Sequence, residues 1–375
     1  MVYAYLDYNA TAPVWPEVVD AVADTMKLGG NASSVHSSGR RANCLVEEAR
    51  EKIAELVNAK PCQIIFTSGG TEANNLALCQ AKSGFVIVSA IEHDSILKCH
   101  PGPKLINVCS NGIVLADNMK RLLTECLDGS VVSVMLANNE TGVLQPIQNV
   151  SAIARERGAL VHCDAIQAAG KVDVDWPAMG VHMMSLSAHK LGGPQGVGAL
   201  IIDDEMDFRP MFKGGGHERS RRAGTENVAG IVGFGVAAEL VRRNRGQMDR
   251  TALLRNALED GLRSIVPEIN IHGSNVDRLP NTSCISMPGV EAELQVMALD
   301  LDGFMVSAGS ACSSGKVTTS HVLTAMGVVK TDASSTIRVS LGWNSNAEDV
   351  ETFLSAWQAL YARTRNEKQI RAAAA

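Results

Sequence analysis

Between Gln63 and about Asp204 the chain alternates short apolar runs with helical stretches, and this alternation constrains the fold more than any other feature. The runs QIIFTS, FVIVSA, KLINVC, SVVSVMLA, ALVHCDA, HMMSLS and VGALII are separated by segments such as EANNLALCQA and VSAIARERG. A run apolar at nearly every position suits a strand buried on both faces, and strand–helix alternation implies a mainly parallel sheet between helix layers. The expected class is α/β. Upstream, PEVVDAVADTMKL and VEEAREKIAELVN carry apolar residues at three- and four-residue spacing and read as helices. Downstream, the glycine-rich KGGGHERSRRAGTEN leads into one long helical pattern from about Val228 to Ser264, read as a connector. The remainder has fewer strands (INIHG, TSCISM, TIRVSL) and helices near EAELQVMALD and AEDVETFLSAWQALY, as in a smaller α+β unit. The expected division is an arm of the small domain at 1–15, a large domain with its connecting helix at 16–264, and a small domain at 265–375. The terminal RAAAA is left out of this reading. With 375 residues, 46% of them hydrophobic, the chain is long enough for two cores.

Composition narrows the function. A formal net charge of -6 supplies little positive potential for a phosphate backbone, so no nucleic-acid partner is expected. The N-terminal MVYAYLDYNATAPVWP lacks a basic segment followed by an apolar core, and no stretch of about 18 apolar residues occurs. The expected location is cytoplasmic, without membrane contact. Nine cysteines are scattered without a Cys-x-x-Cys pair, which signals neither a disulfide framework nor a zinc site, and no metal is expected. Most of these cysteines read as reduced, buried small hydrophobes.

The chemistry gathers at the ends of the apolar runs. In SAHKLGGPQGVG, Lys190 follows HMMSLS and precedes VGALII, so it stands at a strand end, where ligands of open α/β sheets collect. A partly desolvated lysine there has the lowered pKa that a Schiff base needs. Alone, this motif would more often be a surface lysine. A second run, ending in VHCDAIQ, places Asp164 at another strand end with Gln167 one helical turn on. A carboxylate there could hold the proton on the ring nitrogen of pyridoxal 5'-phosphate (PLP), and Gln167 could donate to its phenolate oxygen. In TSGGTEANNLAL a strand ends in Gly69 and Gly70 and Thr71 opens a helix, an arrangement suited to a single phosphate. Ser187, His189 and Thr225 are further candidate phosphate contacts. His93 in IEHDSIL could lie against the ring and exchange protons. No G-x-G-x-x-G follows the first run, which removes the dinucleotide reading of these glycines.

The motifs SGGTEANN, EHDSI, NNETGVLQPI, HCDAIQAAGK, SAHKLGGPQGVG, GGGHERSRRAGT, SAGSACSS and SSTIRVSLG stand in one order along nearly the whole chain. In this the chain resembles cysteine desulfurases of the nitrogen-fixation and iron-sulfur-assembly type, within the class V aminotransferase group of fold-type-I PLP enzymes. The resemblance implies a seven-stranded-type sheet in the large domain, a homodimer, and PLP on Lys190 with His93 over the ring and Asp164 at its nitrogen. Gln167 would meet the phenolate oxygen, and Gly70, Thr71, Ser187 and His189 the phosphate. Thr225 would reach the phosphate of the neighbouring subunit. Asn139 would lie between cofactor and substrate, with Asn31 and Arg338 also on the substrate and Arg338 gripping its carboxylate as a planar fork. Cys312, in the small-residue segment SAGSACSSGK, would be the catalytic thiol that takes sulfur from L-cysteine and releases L-alanine, whereas Cys163 and Cys109 in apolar runs should be packed and inert. The persulfide would pass to an acceptor protein, an iron-sulfur scaffold being the expected one. Three departures stand out: Ala32 replaces a common proline, Trp343 follows SLG where a basic residue is frequent, which could alter the substrate pocket, and the C-terminal tail is short. The rival readings are another class V reaction such as transamination or selenocysteine lysis, which would not need Cys312, and a non-catalytic scaffold that retains the fold.

Overall fold

The computed structural model describes residues 4–82, 84–125, 129–309 and 319–373, with side chains as far as 365. An N-terminal arm with the short strand β1 (Ala4–Tyr5) leads into α1 (Pro16–Leu28) and α2 (Ser37–Leu56). The alternating region follows: β2 (Ile64–Thr67), α3 (Gly70–Leu78), β3 (Val86–Ser89), α4 (Asp94–Leu97), β4 (Lys104–Ile106), α5 (Ala116–Leu123), β5 (Val131–Ser133) and α6 (Ile147–Arg155). It continues with β6 (Leu160–Asp164), α7 (Trp176–Met179), β7 (Met183–Ser187) and β8 (Gly198–Ile202). Beyond lie α8 (Val228–Arg243), α9 (Gln247–Ile265), β9 (Asn270–Ile271), β10 (Thr282–Ser286) and α10 (Ala292–Leu301). The chain ends with β11 (Phe304–Met305), β12 (Ser307–Ala308), α11 (His321–Ala325), α12 (Lys330–Ser334), β13 (Thr336–Ser340) and α13 (Ala347–Ala373).

Seven strands form one sheet in the order β2-β8-β7-β6-β5-β3-β4. Six of them point the same way, and β8 is antiparallel to both its neighbours, so the mainly parallel α/β sheet expected from the alternation is present. The strands lack polar–apolar alternation because both faces are covered. Ile64 and Phe66 of β2 join Val46 and Ile53 of α2 and Phe234 of α8 on one face, while Ile65 joins Leu76 and Ala77 of α3 on the other. A second core gathers Leu6, Ile285, Val339, Phe353 and Trp357 around the smaller antiparallel sheet β12-β13-β10-β9. Leu258 and Leu262 of α9 belong to this second core.

The arm is extended, as expected, but its pairing was not visible in the sequence: β1 runs parallel to β11, and Asp7 bridges to Ser340 of β13. The single helical pattern expected from Val228 to Ser264 is two helices, interrupted at Asn244 to Gly246. α2 starts at Ser37, earlier than its apolar periodicity, because the His36 ring caps it by accepting from the Gly39 N–H at 3.2 Å. No helix of the described residues is long and apolar enough to cross a membrane.

Candidate active site

Strands β2, β3, β6 and β7 share one direction, so the segments that follow them leave the sheet at the same edge, the place where open α/β sheets bind ligands. Lys190 closes a short 3-10 turn directly after β7. Its Nζ donates to the carbonyl oxygens of Asn9 and Ala10, both at 2.6 Å. Burial and the Arg338 guanidinium bring its amine down to about 8, against the opposing charges of Asp7 and Asp164. Asp164 is the buried last residue of β6. Its Oδ1 accepts from the Ile166 N–H at 2.9 Å and its Oδ2 from Asn74 Nδ2 at 2.8 Å. Burial raises this carboxyl above the ordinary range, while the two hydrogen bonds and the charges of His93 and Lys190 pull it back. The residues after Asp164 form consecutive turns rather than a helix, with the Ile166 N–H bonded to Asp164 Oδ1, and Gln167 still faces the same cleft.

At the other end, β2 runs through Gly69, with φ near 151°, into the N-terminus of α3 at Gly70. A Cβ on Gly70 would stand 2.3 Å from Ile166 Cδ1, so a larger residue there would have to displace the Ile166 side chain in the turn after Asp164. Thr71, buried Ser187 and His189 surround that helix end. His189 lies 3.2 Å from Thr11 Oγ1, and burial, followed by the charges of Lys190 and Lys171, lowers its imidazole to about 4, so it is neutral near pH 7. Glu72 in the first turn of α3 accepts from the Ser68 N–H at 2.7 Å and from Arg222 Nε at 2.8 Å, tying the loop that carries Thr225 to this helix start.

His93 caps α4, its Nδ1 accepting from the Ser95 N–H at 3.1 Å. Asn74 Nδ2 also donates to Ser95 Oγ, at 2.9 Å, so Asp164, Asn74, Ser95 and His93 form one connected chain. Arg338, on β13, reaches across from the smaller sheet. Its Nη2 donates to Asp7 Oδ1 at 2.7 Å and its Nη1 to the Asn139 carbonyl at 3.1 Å.

One cleft of about 460 Å³ is lined by Gly70, Thr71, His93, Asn139, Asp164, Gln167, Ser187, His189, Lys190 and Arg338 together. Asn31 and Thr225 do not line it. Both are exposed, and the Asn31 Oδ1 accepts from the Ser33 N–H at 2.9 Å. Cys312 lies outside the described residues, but Gly309, His321 and Glu140 line the cleft, and Ser320 Oγ donates to Glu140 Oε2 at 2.5 Å, so both flanks of that segment border it. The expectation that most cysteines are buried is corrected: of the seven described, only Cys163 and Cys284 are buried. Cys109 is half-buried in a turn beyond β4 rather than packed in a strand. None of the seven lines the cleft.

Sequence reasoning missed Asn9, Asn74, Ser95 and Lys171. All but Asn9 sit inside motifs already singled out, yet nothing local marks which motif residues meet one another across the fold. Trp343, a departure read as able to alter loop rigidity or details of the substrate pocket, does not line the cleft. It stacks on Trp15 at 4.3 Å with an interplanar angle of 20°, and its Nε1 donates to the Pro13 carbonyl at 3.1 Å, pinning the arm beside the turn that follows Lys190.

The donor set suits PLP. The described partners of the buried Asp164 carboxylate are neutral donors, so a protonated ring nitrogen would supply its missing cation. The lysine amine is depressed, and an anion cradle lies at the far end of the cleft. The class-V aminotransferase model matches residues 4–353. The chain belongs to the class-V aminotransferase family. Cysteine desulfurase IscS of Dictyoglomus turgidum is 40% identical over 96% of this chain and 95% of its own length. The solved structure of a NifS-like protein from Rickettsia africae superposes with a TM-score of 0.90 at 37% identity, covering 96% of this chain and all of that one. A structure described as SspA in complex with cysteine gives 0.75 at 29% identity, covering 90% and 98%. The family is PLP-dependent, and PLP is the cofactor of this chain.

Proposed function

We propose that the protein is a cysteine desulfurase that converts L-cysteine to L-alanine and passes the sulfur, held as a persulfide on Cys312, to an acceptor serving iron-sulfur cluster assembly. The observation that carries this reading is the nearly full-length similarity to cysteine desulfurases, together with the union of Lys190, Asp164 and Arg338 in one cleft. The relative solved with cysteine bound supports the choice of substrate.

Bound PLP supplies an electron sink for the charge left when the substrate Cα proton departs. Asp164 holds the proton at the ring nitrogen, and His93 covers the ring face. Gly70, Thr71, Ser187 and His189 hold the phosphate, and Gln167 Nε2 donates to the phenolate oxygen. Arg338 and Asn139 orient the substrate, with the guanidinium facing its carboxylate. Lys190, with its amine near 8, takes the Cα proton close to neutral pH. Cys312 acts as a thiolate: a new S–S bond forms as the substrate C–S bond breaks, and the hydrogen lost from the substrate thiol is restored at carbon. The products are L-alanine and a persulfide anion, and no external oxidant is required. Because no described cysteine lines the cleft and both flanks of the Cys312 segment border it, that residue is the assigned nucleophile. Thr225, exposed beyond the Arg222–Glu72 tether, serves the phosphate of a second copy in a homodimer. Asn31, outside this chain's cleft, would contribute to substrate binding only from such a second copy. The proposed location is the cytoplasm.

The test is a visible spectrum with and without L-cysteine, followed by alanine detection. Lys190→Ala is expected to abolish the bound-cofactor band. Cys312→Ser is expected to keep the band and its response to L-cysteine while alanine and persulfide formation collapse. Alanine release by Cys312→Ser at the wild-type rate would overturn the assignment.

A further inference from the structure

Lys171 has no part in the chemistry above, yet it is buried, with 9% of its surface exposed, directly behind the cleft. Its Nζ donates to Asn9 Oδ1 at 2.7 Å and to Gln167 Oε1 at 2.8 Å. Both acceptors are carboxamide oxygens, and both amides are held at their nitrogen ends as well. Asn9 Nδ2 donates to Thr282 Oγ1 at 2.9 Å and to the Asn139 carbonyl at 3.2 Å. Gln167 Nε2 donates to the Asn9 carbonyl at 2.8 Å, the same oxygen that accepts from Lys190 Nζ. Because both bonds are donated by the Lys171 amine, it selects the oxygen end of each amide and turns the nitrogen end away. For Gln167 that leaves the second Nε2 hydrogen for the cleft the residue lines.

We propose that Lys171 is a positioning residue: it locks the Gln167 carboxamide with its N–H side toward the cofactor and holds the Asn9 carbonyl under Lys190. The inference rests on the PLP reading above and deepens it. The ring oxygen that Gln167 meets is negatively charged, so a donor stabilises it and a flipped amide, presenting Oε1, repels it. Without Lys171, Gln167 Oε1 is left buried without a donor, and the amide is driven to turn or withdraw.

The experiment compares wild type, Lys171→Met, Lys171→Gln, Gln167→Ala and the Lys171→Met/Gln167→Ala double variant, loaded with PLP and without L-cysteine. Two quantities are read: the pH midpoint of the bound-cofactor absorption band and the dissociation constant for PLP. Loss of the N–H donor makes the ring oxygen easier to protonate, so Lys171→Met is expected to raise the midpoint by about one unit and weaken PLP binding about tenfold. Gln167→Ala should shift the midpoint in the same direction, and adding Lys171→Met to it should change little. Lys171→Gln, which restores an N–H donor, should recover most of the wild-type behaviour. A wild-type midpoint in Lys171→Met, or a double variant that shows the sum of both shifts, overturns the proposal. If Lys171→Met does not fold, Lys171→Gln decides: a near-wild-type midpoint supports the lock, and a midpoint displaced as far as in Gln167→Ala overturns it. A purely structural role would lower the melting temperature without moving the midpoint, and that result also overturns it. A wild-type protein that gives no band with PLP defeats the underlying cofactor reading before any variant is made.

Discussion

Two buried arginines each meet a carboxylate, and the two pairs are completed to different degrees. Arg50 in α2 meets Glu218 through both terminal nitrogens, at 2.8 and 3.0 Å. It also donates to the Ile64 carbonyl at 2.8 Å and to Glu47 at 3.0 Å, and lies 4.6 Å from the centre of the Phe66 ring. Glu218 accepts in addition from the Phe66 N–H at 2.9 Å. This pair holds the glycine-rich loop where Glu218, Arg219 and Ser220 all have positive φ, a left-handed course that non-glycine residues rarely take. Arg338 has only Asp7 and the Asn139 carbonyl, and its buried Nε has no partner among the described residues. The difference separates two uses of the same chemistry. The pair that holds backbone shape has all three guanidinium nitrogens engaged, and the pair that lines the cleft leaves one buried nitrogen without a partner among the described residues.

The largest effect is expected from Arg50→Met. It leaves Glu218 buried without its cation and should lower unfolding free energy by about 3–5 kcal/mol in urea titration. A loss below about 1 kcal/mol would mean that the loop is held by something else and the comparison fails. Arg338→Lys sharpens the other half. A point charge can keep the Asp7 contact but not a two-pronged grip, so kcat/KM for L-cysteine should fall roughly 10–100-fold, mostly through KM, with little change in the urea midpoint. If the change falls chiefly on stability, Arg338 is a structural pair like Arg50. The smallest effect is expected from Trp343→Arg, which removes the stack on Trp15 and should lower stability by about 1 kcal/mol while exposing the arm to limited proteolysis. Unchanged proteolysis would show that the Asp7 side is anchored without the stack.

Much of the large sheet was legible because its strands are buried on both faces and their apolar runs stand out from the segments between them. The antiparallel course of β8 was not, since its apolar run has the same character as its parallel neighbours. The helix break at Asn244 to Gly246 escaped because the apolar pattern resumes on the far side of a three-residue turn. In the site, Lys190, Asp164 and the Gly70–Thr71 helix start stood out because each follows an apolar run directly. Asn9 and Lys171 did not, because their significance lies in partners 162 residues apart. Trp343 was visible as a departure, but its stacking partner 328 residues earlier could not be inferred from the residues around it.

The arm that supplies Asn9 and Ala10 to Lys190 is joined to β13 through contacts spanning 331 positions, from Asn9 to Ser340 and from Asp7 to Arg338. During synthesis the arm leaves the ribosome 331 positions ahead of the residues of β13 that hold it. The entropy of closing so long a loop grows only slowly with its length, yet it cannot be offset until both ends exist. A chain arrested before Thr336 therefore has Asn9 held by Gln167 and Lys171 but lacks the Ser340 and Arg338 contacts that tie the arm to the smaller sheet.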